Sequence, residues 1–292
     1  MNTSPKPSHV AAALAAVYLI WGSTYFAIKL ALPDYPPFLL TGTRMAIAGG
    51  LMLAWLAWRR TPLPKRGQWR AIVILATVMT VLSNAFVNIA EQSVSSGVVA
   101  IGVAAMPLWA GLFAALRGYH PNRIEWGGLV LGFLGVVWLN LGSELRVSTV
   151  GLLCVIAAPL GWAWGSMWSK GRDLPDSLVL SAWQMAVGSL ISLTIGFGIG
   201  ERFTHVPGLE ATAAMLYLAL FGSVIGYSAF VWLVKNVRPA LATSYAYVNP
   251  PIALLLGVLL LDEPINSQTV TAMVLILTSI GIVTLGKRLH GA

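Results

Sequence analysis

Ten apolar runs divide the chain, at about 9–30, 37–58, 70–90, 94–116, 126–143, 150–169, 177–199, 211–234, 239–261 and 267–286. Each is near the roughly 20 residues a helix needs to cross a bilayer. The runs are long and unbroken instead of alternating between apolar and polar positions, so they predict helices and not strands. Polar residues collect in the short connections. Spans three and four are separated only by Glu91-Gln92-Ser93, which predicts a tight helical hairpin.

Composition points the same way. The chain is 57% hydrophobic and 10% charged, against about 25% charged in a typical soluble domain. With a mean hydropathy of +0.78 it has too little polar surface to cover a globule in water. The expected fold is an all-α integral membrane protein with ten transmembrane helices. The first run continues to Ile28, which favours a retained first span over a cleaved leader. No connection is long enough for an attached ATPase module. The stretch Gly281–Lys287 imitates a phosphate-binding loop, but Arg288 replaces the Ser or Thr and the stretch lies in the last span.

The net charge of +8 is distributed by membrane side. If the N-terminus, the C-terminus and the even-to-odd connections share a face, that face carries 14 of the 18 Lys and Arg residues. The positive-inside rule makes it cytoplasmic, with both termini inside. Basic residues spread over one face do not form a nucleic-acid groove.

Landmarks recur at nearly half the chain length. Trp21-Gly22-Ser23 returns as Trp164-Gly165-Ser166, an offset of 143; Arg44-Met45-Ala46 returns as Gln184-Met185-Ala186, an offset of 140; Pro107 returns as Pro250, an offset of 143. The expected repeats are residues 9–143 and 150–286, with five spans each. An odd number of spans forces the second copy into the membrane in the opposite sense, and such inverted repeats are a common build for secondary transporters.

The Trp-Gly-Ser-Thr-Tyr run at Trp21–Tyr25, Pro37 followed by Arg44, Met106-Pro107-Leu108-Trp109, Ala163–Ser166, Val248-Asn249-Pro250-Pro251 and Asp262-Glu263-Pro264 together resemble the drug/metabolite transporter superfamily, specifically its EamA-type ten-helix exporters. That resemblance implies export of amino acids, including aromatic and other neutral ones, and of related small metabolites; the alternatives are a transporter of the same fold for another solute (nucleotide-sugar, drug cation or nucleoside) and, more remotely, an integral-membrane enzyme acting on lipid. Family modules often carry Gly-Glu after the fourth helix. The second copy has Asp262-Glu263 there, but the first has Gly118-Tyr119-His120.

Transporters of this build hold substrate near the bilayer midplane, between the repeats. The candidate binding residues are therefore polar or aromatic positions inside spans: Trp21, Ser23, Tyr25, Asn84, Asn88, Trp109, Trp164, Trp168, Tyr227, Tyr245 and Asn249. Trp21 and Tyr25 share a helix face, as do Trp164 and Trp168, so four rings could form one amphipathic wall. Asn84 and Asn88 also share a face, which either lines the cavity or bonds neighbouring helices. Pro107, Pro159, Pro250 and Pro251 are hinge candidates, because each removes a backbone bond. Arg44, a charge inside a span, is a gating, structural or carboxylate-binding candidate. The pairs Gly128/Gly132, Gly161/Gly165, Gly196/Gly200 and Gly222/Gly226 have the spacing of close helix packing.

All ten acids are expected outside the spans or at their edges, Glu91 and Glu263 among them, so no strict proton coupling through a buried acid is expected. The four histidines sit near span ends and have no metal spacing. Neither an enzyme, a cofactor nor a metal is expected. The expected partners are a small-molecule substrate and the bilayer of the inner membrane, without nucleic acid. Spans four, five, nine and ten offer edges for a weak homodimer, and a monomer is left open.

Overall fold

The computed structural model describes residues 6–116, 118, 122–141, 148–169, 171–237 and 244–290. Among these residues there are helices and no strands. We number the spans α1 (Pro7–Ala31), α2 (Pro37–Trp58), α3 (Arg66–Glu91), α4 (Ser96–Ala104 and Met106–Leu116), α5 (Arg123–Asn140), α6 (Thr149–Ser169), α7 (Ser177–Gly198), α8 (Leu209–Tyr217, Leu218–Ile225 and Gly226–Asn236), α9 (Tyr245–Leu261) and α10 (Ser267–His290). Seven of the helices are long and apolar enough to cross a membrane, and shorter apolar helices lie in α9 and α10. The ninth span was expected from 239; residues 238–243 lie outside the described set, and α9 is described from Tyr245.

Local signals explain most helix starts. Pro7 and Pro37 open α1 and α2, where a missing N–H costs nothing. Asn122 and Glu125 form a reciprocal cap at the start of α5, each amide donating to the other's side chain at 2.8 and 2.9 Å. The Asp176 carboxylate accepts from the Leu178 amide at the start of α7.

Helices α2 and α4 have no side-chain cap of their own. Each is closed by a glutamate from the other repeat. Glu201 accepts from the amides of Phe38 at 3.1 Å and Leu39 at 2.9 Å. Glu263 accepts from the Ser96 amide at 2.8 Å and from its hydroxyl at 2.7 Å, with the Gly97 amide at 3.4 Å. A negative charge is favourable at the amide end of a helix. Both glutamates directly follow a left-handed residue that ends a helix: Gly200 (φ +95°) after α7 and Asp262 (φ +50°) after α9. After α7 the Glu201 and Gly200 amides turn back onto the carbonyls of Gly196 and Phe197, at 2.9 and 3.3 Å.

The packing is that of two inverted five-helix repeats. Each of the two largest helix contacts joins repeat-equivalent helices, α2 with α7 and α5 with α10. Other large contacts come in exchanged pairs: α1 on α9 mirrors α6 on α4, and α1 on α8 mirrors α6 on α3. The wide π turns fall on the same pattern. One covers Ala76–Leu82 in α3 and the other Leu218–Ile225 in α8, offset by 142 to 143 positions.

Small residues let the repeats approach. A Cβ on Gly49 of α2 would lie 2.7 Å from the backbone nitrogen of Ala186 in α7, and one on Gly42 would lie 2.6 Å from Leu193. Gly132 and Gly135 of α5 do the same against Ser279 and Ile276 of α10. Of the glycines paired by spacing, Gly161 packs on Ser83, Gly165 on Met79, Gly196 on Leu39, Gly222 on Thr24 and Gly226 on Trp21, whereas Gly200 serves the α7 turn and meets nothing within 4 Å.

At the ends of α1 and α8, Asp34 takes hydrogen bonds from His205 at 2.9 Å and the Gly208 amide at 2.6 Å. These bonds hold its carboxyl below the ordinary carboxylate value.

The helix pairing makes a direct prediction. Gly49→Val should destabilise the protein by about 1–3 kcal/mol, because backbone atoms cannot move aside. Gly50→Val, where a new Cβ meets nothing within 4 Å, should stay within about 0.5 kcal/mol of the parent. Unfolding in detergent of the two variants side by side measures the difference.

Candidate functional site

A cavity of about 190 Å³ lies between the repeats. Its walls come from α1, α2, α3 and α4 of the first repeat and from α6, α7, α8 and α9 of the second; α5 and α10 give none of its lining residues. Most of the wall is apolar, with a small set of polar groups, the usual composition of a small-molecule site.

Arg44 enters from α2. Its Nε donates to the Ser223 hydroxyl at 2.8 Å, and Ser223 in turn donates to the Leu218 carbonyl at 3.1 Å. Gly222 makes room for the guanidinium: a Cβ there would lie 3.3 Å from Arg44 Nη2. Among the described residues no carboxylate lies within 4.0 Å of Arg44. Gln184, its counterpart in the sequence repeat, lines the same cavity from α7.

One side of the cavity is aromatic. Trp21 donates through Nε1 to the Gly222 carbonyl at 3.0 Å, which fixes the indole against the π turn of α8. Tyr245 meets Trp21 edge-on at 5.0 Å, and Phe230 packs behind both at 5.2 and 5.7 Å. Tyr25, Tyr227 and Trp162 also line the cavity.

Two amides supply polar groups. Asn84 spends its Nδ2 on the carbonyls of Thr80 at 2.8 Å and Met79 at 3.3 Å, in the π turn of α3. Asn249 is 7% exposed, and among the described residues its Oδ1 has no hydrogen-bond partner. Buried polar atoms are normally paired, so this oxygen is an acceptor without a protein donor.

Of the residues expected from sequence, Trp21, Tyr25, Asn84, Tyr227, Tyr245, Asn249, Arg44, Pro107, Pro159 and Pro250 line the cavity. Ser23, Asn88, Trp109, Trp164, Trp168 and Pro251 do not, and each has a visible reason. Ser23 donates back to the Leu19 and Ile20 carbonyls and bonds Tyr217 at 2.7 Å. Asn88 is 2% exposed and joins α3 to α2 through the Pro37 carbonyl and Thr41 hydroxyl, both at 2.9 Å. Trp109 packs edge-on against Phe133 of α5 at 4.8 Å. Trp164 and Trp168 stack on each other at 5.8 Å, and Arg172 covers Trp168 at 3.7 Å. Pro251 is on the exposed face of α9. The four-ring wall is therefore not formed: α6 turns Trp162 to the cavity, and two residues further on Trp164 points roughly 200° away.

Of the four prolines, only Pro107 coincides with an interruption of its helix, at Ala105 between the two pieces of α4. Helices α6 and α9 run through Pro159, Pro250 and Pro251.

Trp162, an aromatic position inside span six that the sequence also offers, lines the cavity, whereas sequence reasoning missed Thr80, Gln184 and Ser223 as lining residues. Glu91, expected at the outer edge of a span, does end α3, but it is 1% exposed, and among the described residues neither carboxyl oxygen is hydrogen-bonded.

An inverted-repeat bundle around an amphipathic central cavity is the architecture of a membrane carrier. The chain belongs to the EamA-like transporter family, whose pattern it matches twice, at residues 9–141 and 149–285. It is thus a multi-pass membrane transporter of that family. It is 37% identical over 281 residues to the uncharacterized inner membrane transporter YedA of Escherichia coli (strain K12), covering 96% of this chain and 92% of that one. The uncharacterized transporter YvbV of Bacillus subtilis (strain 168) is 28% identical over 288 residues, covering 97% and 93%. A solved crystal structure 20% identical in sequence superposes with a TM-score of 0.68 over 96% of this chain and 99% of that one, and shares the fold.

The two asparagines should separate in experiment. Asn88→Ala strands buried partners on α2 and should lower stability by about 1–3 kcal/mol. Asn84→Ala, which breaks only bonds within its own helix, should remain within about 0.5 kcal/mol. Thermal unfolding in one detergent reads both.

Proposed function

We propose that this protein is a secondary transporter of the cell inner membrane that exports amino acids, including aromatic and other neutral ones, and related small metabolites by alternating access. The observation that carries the reading is Arg44: a guanidinium on the wall of a largely apolar cavity, with no carboxylate in reach among the described residues. Guanidinium binds carboxylate through two parallel hydrogen bonds. A solute carboxylate would supply the missing anion.

The other groups suit the rest of an amino acid. The free Oδ1 of Asn249 accepts hydrogen bonds, as an ammonium requires. Trp21, Tyr25 and Tyr245 offer ring surface to an apolar or aromatic side chain. The same cavity is a poor host for a drug cation, which would meet a fixed positive charge and no acid on the lining.

The membrane assignment draws on the name of the Escherichia coli relative. Inward termini are read from the distribution of Lys and Arg. The proposed assembly is a monomer or a weak homodimer.

Counterflow in proteoliposomes with labelled α-amino acids tests the proposal. Saturable counterflow is expected for neutral and aromatic amino acids and not for their carboxamides. Arg44→Gln should weaken apparent affinity by about 10- to 100-fold, the loss expected for hydrogen bonds to a charged group. Equal transport of acids and carboxamides, or an unchanged Arg44→Gln variant, would overturn it.

A further inference from the structure

Glu91 ends α3, on the far side of the α3–α4 turn from Ser96. Its carboxyl group is buried, and among the described residues neither oxygen has a hydrogen-bond partner. Its position is doubly unfavourable for a charge: it is out of water, and it stands at the carbonyl end of a helix, where a negative charge is repelled.

Three titratable groups face it from the elements packed around it. Lys29 and Tyr25 come from α1, and Glu263 from the α9–α10 turn. Lys29 answers the backbone and not the carboxyl group. Its ammonium donates to the carbonyl oxygens of Glu91 at 2.6 Å and Val94 at 2.9 Å, and among the described residues no ion pair within 4.0 Å joins it to the Glu91 side chain. Glu263 is the contrast. It stands against the amide end of α4, with three donors on its two oxygens. One end of the bundle thus holds two acids in opposite settings, the arrangement that separates a proton carrier from a fixed charge.

We propose that Glu91 is a proton-binding site linked to opening of the α3–α4 end. In the closed form described here Glu91 is the neutral acid. When that end opens, water reaches the carboxyl group, its O–H bond breaks, the proton passes to water, and the carboxylate is left hydrated beside Lys29. Closure requires the proton to return. Acid therefore favours the closed form and alkali the open one. The proposal rests on the alternating-access reading above but on no particular solute.

The test is the accessibility of a buried reporter. Val98 of α4 is 3% exposed, and the chain's only cysteine, Cys154, is also buried. Val98→Cys in a Cys154→Ala background is labelled with a membrane-impermeant maleimide between about pH 5 and 9. Each rate is divided by that of the same reporter carrying Glu91→Gln, which cancels the titration of the thiol itself. The ratio should rise about tenfold or more across the range, since the amide mimics the neutral acid at every pH. Glu263→Gln should keep a rising ratio.

A flat ratio overturns the proposal. So does a pH response lost in Glu263→Gln, which would put the proton on Glu263. So does failure of Glu91→Gln to fold, because the proposal makes that variant equivalent to the closed, protonated protein. Absence of amino-acid counterflow would instead sink the proposed solute and leave this result standing.

Discussion

Inside a bilayer the free amides at a helix start have no water to turn to, and each must find an acceptor in the protein. Helices α2 and α4 meet this demand with carboxylates they do not own: Glu201 and Glu263 arrive from the second repeat and close the amide ends of helices in the first. The first repeat is therefore incomplete without the second. The consequence reaches the cavity, since α2 carries Arg44 and α4 carries Pro107. The side chains that define the site stand on helices anchored by the opposite half of the molecule.

The two halves share helix order and packing, yet they do not contribute alike to the cavity. Helix α1 gives Trp21 and Tyr25, while its counterpart α6 gives Pro159 and Trp162 and turns the echoing Trp164 and Trp168 away. Any single state of an inverted-repeat carrier treats its halves unequally, because one end is closed while the other is not.

Much of this was legible in the sequence, for physical reasons that can be named. The spans were legible because lipid demands long apolar runs, and the pairing of halves because Trp-Gly-Ser recurs. The direction in which a side chain points was less so. Periodicity places Trp164 and Trp168 on one face but cannot say which neighbour that face meets. Asn84 and Asn88 also share a face, yet the first stands at the cavity while the second ties α3 to Pro37 and Thr41. Glu91 was illegible for another reason. Hydropathy locates a span's end but not the residues folded over it, and Lys29 and Glu263 come from positions 62 before and 172 after it in the chain.

The π turns carry a consequence of their own. Each arises because the chain fits one residue more into that stretch than a regular helix would hold. If the same residues between Ala76 and Leu82 wound instead as an ordinary α-helix, everything beyond would be out of phase by about 100°. Asn88 would swing off Pro37, Asn84 would leave the lumen, and Glu91 would no longer lie beneath Lys29. The spare residue sets the angular phase of the outgoing half of α3, and α8 repeats the same surplus ahead of Tyr227.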